Sequence, residues 1–184
     1  MGIAKYLKQG FMTIDSEKLL VKVEGVKVFS FERLEPYEQG QVFEKFVGQQ
    51  YESEGYVVKY NGLEMGFLDR GIDIIAEDNK NIFFIQCKYH NKTFSKNSIE
   101  WILYKASNFI DKYKDKNHRK LHFVLAVKSI SKNFSAKKVK RKELKIKAPL
   151  KPVRPLYNYI LEKNQLQRIV RIDIKEYDLL NEFD

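Results

Sequence analysis

The sequence predicts an α/β fold in which helices cover both faces of one sheet, an α/β/α sandwich. Helical stretches alternate with short apolar runs along the 184 residues, which is the order of elements in such folds. Two of the runs flank a polar turn, as in a β-hairpin. A third run, residues 121–127, is almost continuously apolar, as expected of a strand that is covered on both faces.

The first 36 residues are interpreted as an N-terminal extension that contains a hairpin. Residues 19–23 and 26–31 are rich in Val, Leu and Phe, and a Glu-Gly pair separates them. The remainder, residues 37–184, is expected to form one domain with a substantial core.

A long helix is predicted over residues 37–54. Its apolar side chains recur at helical spacing, and Gly55 follows it, as glycine often follows a helix. Glu44 borders this apolar stripe. Gly40 and Gly48 lie about one turn on either side of Glu44, so we expect room there for a large ligand. The stripe consists of Phe43, Phe46, Val47 and Tyr51.

The later elements continue the alternation of strands and helices. Polar and glycine-rich stretches separate them. The expected order is a strand at residues 56–60, a loop through Gly62 and Gly66, a hairpin at 72–85, a helix capped by Ser98 and running to about residue 113, a strand at 121–127, a helix at 156–164 and a final strand at 169–174.

The register of the central hairpin follows from the alternation of side chains. If Asn79 and Lys80 are the central residues of the turn, counting outward along both strands places Asp73 opposite Gln86. Lys88, two residues beyond Gln86, returns to the same face. One face of the hairpin therefore carries an acid, an amide and a lysine. A three-residue turn would move one strand's side chains to the opposite face.

These side chains, together with Glu44 from the helix, have the chemistry of a metal-dependent phosphodiesterase. A divalent cation activates water, neutralises charge on a phosphate and prefers oxygen ligands such as those of Glu44 and Asp73. The backbone carbonyl of Cys87 and the amide oxygen of Gln86 are further candidate ligands. Lys88 is the candidate for orienting or deprotonating water, or for stabilising the pentavalent phosphate. Because Gln86 is neutral, we expect weaker metal binding than with Glu at that position.

Other acids compete for two of these roles. Glu52 and Glu54 lie on the same predicted helix as Glu44, and Asp69 precedes the apolar strand. An unpaired acid inside an apolar strand is costly, so its presence there favours a functional role for Asp73 over Asp69.

Two segments resemble a known family. FEKFVGQQYESEGYVVKYNG, residues 43–62, and DRGIDIIAEDNKNIFFIQCKYH, residues 69–90, resemble the Mrr-like restriction endonucleases of the PD-(D/E)XK nuclease superfamily, in which Gln often replaces the second acid. The resemblance implies a restriction-endonuclease-like α/β/α sandwich with a central mixed sheet. It also implies that Glu44 is the helix acid, Asp73 the central metal ligand, and Gln86 and Lys88 the closing pair. Mg²⁺ is the implied cofactor, with Mn²⁺ as a substitute.

Positive charge is concentrated in residues 128–154. This segment has eleven Lys or Arg and one acid, which gives it a charge of +10, equal to the formal net charge of the chain. We expect it to contact DNA phosphates and to make binding salt-dependent, the alternative being a solvated surface loop. The candidate DNA-binding residues are Lys137, Lys138, Lys140, Arg141 and Lys142 in this segment and Lys92, Lys96 and Lys105 on the flank of the helix after the hairpin.

Composition argues against several other classes of protein. The chain is 43% hydrophobic, so it is not a disordered basic tail. It has no apolar run of about 18 residues and no signal-peptide pattern, and we expect a cytoplasmic protein. The single cysteine, Cys87, excludes an internal disulfide and a cysteine-based metal cluster, and its side chain alternates away from the proposed site. No Walker motif is present.

The favoured function is a Mg²⁺-dependent DNA endonuclease related to restriction or defence. Two alternatives stay open: a Holliday junction resolvase or DNA repair nuclease, which would share the fold, and the nuclease or DNA-binding domain of a larger complex. Cutting both strands of a duplex is simplest for a homodimer whose two-fold axis matches that of the DNA, with residues 19–31 as the expected interface. Partner subunits that supply specificity are a further expectation.

Overall fold

Eight strands and five helices form the described part of this computed structural model, which covers residues 2–24, 27–66, 71–115, 118–134 and 170–180. A 3₁₀ turn, Phe31–Arg33, leads into the longest described helix. In chain order the elements are α1 Ala4–Leu7, β1 Met12–Asp15, β2 Leu20–Val23, β3 Lys27–Ser30, α2 Pro36–Ser53, β4 Val57–Lys59, α3 Asn61–Met65, β5 Ile74–Glu77, β6 Asn81–Lys88, α4 Lys96–Lys112, β7 Lys120–Val127, α5 Ile130–Asn133 and β8 Val170–Glu176.

The central sheet is mixed and has the strand order β4-β5-β6-β7-β8. The pairs β4/β5 and β5/β6 are antiparallel, whereas β6/β7 and β7/β8 are parallel. A parallel pair needs a crossover connection, and α4 supplies it between β6 and β7. The predicted α/β fold with a central mixed sheet is therefore confirmed.

Each face of the sheet is covered by one long helix. On the α2 face the buried residues include Val42, Phe43, Phe46 and Val47 of the helix and Ile74, Ala76, Ile85, Val124 and Ala126 of the sheet. On the α4 face they include Ile99, Ile102, Leu103, Ala106 and Ile110 of the helix and Ile75, Phe84, Phe123, Leu125 and Val127 of the sheet. Successive strand residues thus enter opposite clusters, which explains why these strands read as continuous apolar runs.

The register of the central hairpin is as the alternation predicts. Ile74 pairs with Ile85 and Glu77 pairs with Ile82, so the turn is centred on Asn79 and Lys80. Asp73 lies just before β5, and its backbone N–H donates to the Ile85 carbonyl at 2.9 Å. The hairpin therefore brings Asp73 to the end of β6 that carries the Gln-Cys-Lys tripeptide.

The N-terminal residues form a three-stranded antiparallel sheet rather than a hairpin alone. The predicted hairpin is present as β2 and β3, and the unpredicted β1 pairs with β2. Gln49 of α2 exchanges two hydrogen bonds of 2.8 Å with the backbone of Met12 in β1. Val21 and Val23 enter the same buried cluster as α2. A division of the chain at residue 36 stays a prediction.

Three other expectations need correction. Residues expected to form a glycine-rich loop form α3, Asn61–Met65. Helix α4 is capped by Ser95, whose hydroxyl accepts from the Ser98 backbone N–H at 3.1 Å, so Ser98 lies in the first turn rather than at the cap. The short helix α5 was not expected within the basic segment.

Several sequence expectations fall outside the described residues. They include the helix at residues 156–164, Asp69 and most of the basic segment 128–154. The final strand, expected at 169–174, is described as Val170–Glu176. No helix in the described parts of the chain is long and apolar enough to cross a membrane.

Candidate active site

One cavity brings together the four residues proposed for catalysis. Glu44 of α2, Asp73 before β5, and Gln86 and Lys88 of β6 line a cavity of about 360 Å³, here called the catalytic cavity. Its other lining residues are Pro36, Tyr37, Gly40, Gln41, Gly62, Gly66, Gly71, Cys87, Tyr89 and Lys105. Residues distant in sequence thus converge at one end of the sheet.

Glu44 is the buried acid of α2. Its side chain is on a residue that is only 7% exposed, and its Oε1 accepts from the backbone N–H of Leu63 at 2.9 Å. Glu52 and Glu54, the alternatives on the same helix, are exposed and do not line the catalytic cavity. The structure therefore favours Glu44 over both as the helix acid.

Asp73 is held in place by hydrogen bonds to the backbones of β6 and α3. Its Oδ2 accepts from the Cys87 N–H at 2.6 Å, so the start of β5 is tied to the tripeptide of β6. Its own carbonyl accepts from the Gly62 N–H at 2.8 Å. A carboxylate that accepts a backbone hydrogen bond keeps a fixed orientation, which a metal ligand requires.

Helix α3 holds the two acids relative to each other, a role that the sequence did not suggest. Gly62 donates to the Asp73 carbonyl while the next residue, Leu63, donates to the Glu44 carboxylate. Asn61 Nδ2 adds a hydrogen bond of 2.6 Å to the carbonyl of Ile72. The Asn-Gly pair that ends the first family-like segment is the available signal, but these residues were expected to form a loop.

Gln86 and Lys88 form a hydrogen-bonded pair. In the amide orientation that satisfies both polar groups, Gln86 donates to the Gly71 carbonyl and accepts from Lys88 Nζ, each at 3.2 Å. Gln86 is 4% exposed, and both of its amide atoms have partners in this orientation. Gly71 has a φ of 82°, which favours glycine, and a Cβ there would lie 3.1 Å from the Lys105 side chain. The amide thus directs the ammonium of Lys88 toward the cavity.

The two glycines around Glu44 have different surroundings. Gly40 lines the catalytic cavity, and a Cβ added there would meet nothing within 4 Å. A Cβ at Gly48 would instead overlap the Tyr60 ring. Room for a ligand is therefore present at Gly40, whereas the expectation was wrong for Gly48, because an aromatic side chain of the same protein fills that space.

Cys87 lines the catalytic cavity, although strand alternation places its side chain on the face opposite Gln86 and Lys88. The thiol packs against the α2 cluster. Burial, and next the negative charges of Asp73 and Glu44, raise the pKa of the Cys87 thiol well above its ordinary value. The thiol is therefore protonated at neutral pH and is a poor nucleophile.

We expect Cys87→Ala to keep DNA cleavage within about threefold of the parent protein, because the backbone N–H that binds Asp73 is retained. Plasmid cleavage rates measured from pH 7 to pH 9 would test this. A thiolate nucleophile would instead give loss of cleavage in the variant and a rate in the parent that rises with pH.

The candidate DNA-binding lysines are only partly described. Lys92 and Lys96 are exposed, and Lys96 pairs with Glu100 at 3.5 Å. Lys105 lines the catalytic cavity beside Gln86. The remaining candidates, Lys137, Lys138, Lys140, Arg141 and Lys142, lie outside the described residues.

The donor set of the catalytic cavity suits a hard cation. Glu44 and Asp73 offer carboxylate oxygens, and Gln86 and the Cys87 carbonyl offer neutral oxygens, which are the ligands that Mg²⁺ prefers. Among the described residues, no three His, Cys, Asp or Glu side chains form a metal-binding group. A metal ion held here would therefore have two carboxylates, with its other ligands from neutral groups and water, as Mg²⁺ usually has.

A comparison with known protein families gives a match to part of this chain. Residues 37–109 match the model of a restriction endonuclease family, Mrr_cat, and this range contains Glu44, Asp73, Gln86 and Lys88. No curated protein matches the chain. The resemblance to Mrr-like restriction endonucleases is confirmed over the matched range, and the match supports a restriction-type nuclease that acts as a hydrolase.

Proposed function

We propose that the protein is a metal-dependent DNA endonuclease related to restriction or defence. The observation that carries this proposal is the convergence of Glu44, Asp73, Gln86 and Lys88 in the catalytic cavity. Two acids and a lysine around one cavity are the groups needed to hold a divalent cation beside a phosphodiester. The match of residues 37–109 to a restriction endonuclease family supports the same chemistry.

In the proposed reaction a water oxygen bonds to phosphorus while the bond from phosphorus to one sugar oxygen breaks. The attacking water loses one proton to solvent, and the departing sugar oxygen takes one up from solvent. A bound Mg²⁺ ion would supply Lewis acidity to the phosphate and lower the pKa of the attacking water. Glu44 and Asp73 would hold that ion through their carboxylate oxygens. The ammonium of Lys88, oriented by the Gln86 amide at 3.2 Å, donates to the phosphate and stabilises the added negative charge of pentavalent phosphorus.

A plasmid assay tests this function and separates it from the alternatives. Supercoiled plasmid, methylated plasmid and a four-way junction would each be incubated with the protein and Mg²⁺, Mn²⁺ or EDTA. We expect plasmid cleavage with either metal and none in EDTA. Selective cutting of the junction would identify a resolvase, binding without cutting would indicate a domain of a larger complex, and undiminished cleavage in EDTA would refute metal dependence.

The substitution Gln86→Glu is expected to lower the Mg²⁺ concentration needed for half-maximal cleavage by about tenfold, since a third negative charge strengthens cation binding. The variant also loses the donor to Gly71, which costs about 1 kcal/mol of stability and is measured separately by thermal unfolding. Gln9→Glu, at an exposed position, is the control for the change in net charge. An unchanged Mg²⁺ requirement in Gln86→Glu would exclude Gln86 as a ligand.

Cleavage of both strands is proposed to involve a homodimer, in line with the two-fold symmetry of duplex DNA. Residues 19–31 are the expected interface, but part of this region is already buried within the same chain. Val21, Val23 and Phe31 pack in the cluster that contains α2. Val28 of β3, which is 59% exposed, is an apolar side chain of this region that a second copy would cover.

A further inference from the structure

A second cavity adjoins the catalytic cavity on the α4 side. It has a volume of about 450 Å³, within the range of small-molecule sites, and is here called the aromatic cavity. Gln86, Lys88 and Lys105 line both cavities, so the two are neighbours. Its other lining residues are His90, Lys92, Thr93, Phe94, Ser98, Trp101 and Ile102.

Two exposed aromatic rings of α4 stack on each other, and one of them, Trp101, lines the aromatic cavity. The rings of Trp101 and Tyr104 stack at a centroid distance of 5.5 Å and an interplanar angle of 16°. They are 58% and 42% exposed, respectively, although large aromatic side chains are usually well buried. The Nζ of Lys105 lies 5.4 Å from the centre of the Trp101 ring. The pair of rings therefore carries a positive charge over the face of the indole.

The opposite wall of the aromatic cavity is held in place by one buried side chain. Asn133 Nδ2 donates to the backbone carbonyls of His90 at 2.7 Å and Lys92 at 2.9 Å, and Asn133 is fully buried. The backbone carbonyl of Asn133 also accepts from the Phe94 N–H at 2.8 Å. The loop after β6 thus has a defined shape, which a binding wall requires.

The charges around the aromatic cavity suit a polyanion. Lys88, Lys92 and Lys105 line it, and none of the described residues that line it is acidic. Burial, and next the nearby charge of Lys88, lower the pKa of His90, so its ring is neutral at pH 7. Its Nδ1 accepts from Asn133 Nδ2 at 3.3 Å, so Nε2 carries the proton and can donate to a base edge. Aromatic rings interleaved with lysines are the usual surface for single-stranded nucleic acid.

We propose that the aromatic cavity binds an unpaired nucleobase of the substrate strand, stacked on Trp101, next to the phosphate that is cleaved. Lys92 and Lys105 would neutralise the phosphates flanking that nucleotide. A paired base in the interior of a duplex has both faces covered by its neighbours, so there only an unstacked base can lie on the indole ring. This inference rests on the proposed nuclease function and specifies its substrate as a strand with at least one unpaired nucleotide.

Trp101 is the only tryptophan of the chain, so its fluorescence reports directly on this cavity. The full chain with Asp73→Asn would be titrated with a single-stranded oligodeoxynucleotide, with the same strand carrying abasic sites, and with its blunt duplex. We expect quenching by the single strand, and little quenching by the abasic strand or the duplex even when fluorescence anisotropy shows that they are bound. Equal quenching by all three would overturn the proposal.

Affinity gives a second measurement that does not depend on quenching. Trp101→Leu should bind the single strand roughly 5- to 100-fold more weakly, whereas Trp101→Phe should retain most of the affinity, because stacking is sequence-tolerant and aromatic. Neither variant should change binding of the abasic strand. Phe11→Leu is the matched control, since Phe11 is also an exposed aromatic residue, at 57%, but lies outside both cavities.

Cleavage by the parent chain of a duplex that carries one unpaired nucleotide, measured in parallel, separates this inference from the function on which it rests. Cleavage together with normal single-strand affinity in Trp101→Leu would overturn the stacking proposal and leave the nuclease standing. Base-dependent quenching without cleavage by the parent would support the nucleobase site and count against the nuclease.

Discussion

Replacing Asp73 with asparagine is expected to reduce plasmid cleavage by about 10³-fold or more while the fold is retained. Asparagine keeps an oxygen that can accept from the Cys87 N–H, which is 2.6 Å from Asp73 Oδ2. It lacks the negative charge, so a divalent cation loses one of the two carboxylates lining the catalytic cavity. This substitution therefore separates the chemical role of Asp73 from its structural one.

Asp73→Ala would remove both roles at once and leave the Cys87 N–H without this acceptor, at a cost of about 1–3 kcal/mol of stability. Thermal unfolding of the two variants measures the structural role of Asp73, and their cleavage rates measure its chemical role. Asp111→Asn, exposed on α4, is the control carboxylate. Cleavage by Asp73→Asn at more than a tenth of the parent rate would rule out Asp73 as the central metal ligand.

Lys88→Ala belongs to the same experiment. Removal of its ammonium is expected to lower the rate by about 10²- to 10³-fold, the usual range for loss of one donor that stabilises charge in the transition state. Because the Gln86 amide oxygen would lose its partner at 3.2 Å, Lys88→Arg is a useful companion that keeps the charge but changes its geometry. A full rate in Lys88→Ala would exclude a role for this side chain in the chemical step.

The central hairpin could be predicted from the sequence because its geometry is local. Strand alternation and a two-residue turn suffice to set the register, and the observed pairing of Ile74 with Ile85 agrees with it. The position of Glu44 was also predictable, since helical periodicity places it beside the apolar stripe of α2 and the family-like segment begins there. Side chains on periodic elements can be placed by counting.

The elements that were missed are short or depend on distant contacts. β1 spans only four residues and α3 only five, which is too short for periodicity to be recognised. Gly48 illustrates the second limit. Its sequence context indicates open space beside Glu44, but Tyr60 from the next strand region fills that space. What occupies a gap depends on tertiary packing, which local patterns do not specify.

Gly62→Ala is expected to reduce cleavage by about 10²-fold, although Gly62 carries no chemical group. A Cβ at Gly62 would lie 2.7 Å from Oε2, 2.8 Å from Oε1 and 3.0 Å from Cδ of Glu44. These distances are shorter than van der Waals contact, so the carboxylate must move. Its hydrogen bond from the Leu63 N–H, at 2.9 Å, would be strained or lost. A displacement of about 1 Å in a catalytic group can cost two orders of magnitude in rate.

A double-mutant cycle tests whether Gly62→Ala acts through Glu44. In the Glu44→Ala background there is no carboxylate to displace, so the same change should raise stability by up to about 1 kcal/mol through the better helix propensity of alanine. In the parent background it should be neutral or destabilising. Thermal unfolding of the four proteins gives the coupling energy, and Mn²⁺ binding by calorimetry gives the effect on the metal site. Equal effects of Gly62→Ala in both backgrounds would mean that Gly62 affects only the stability of α3. In that case α3 does not position Glu44.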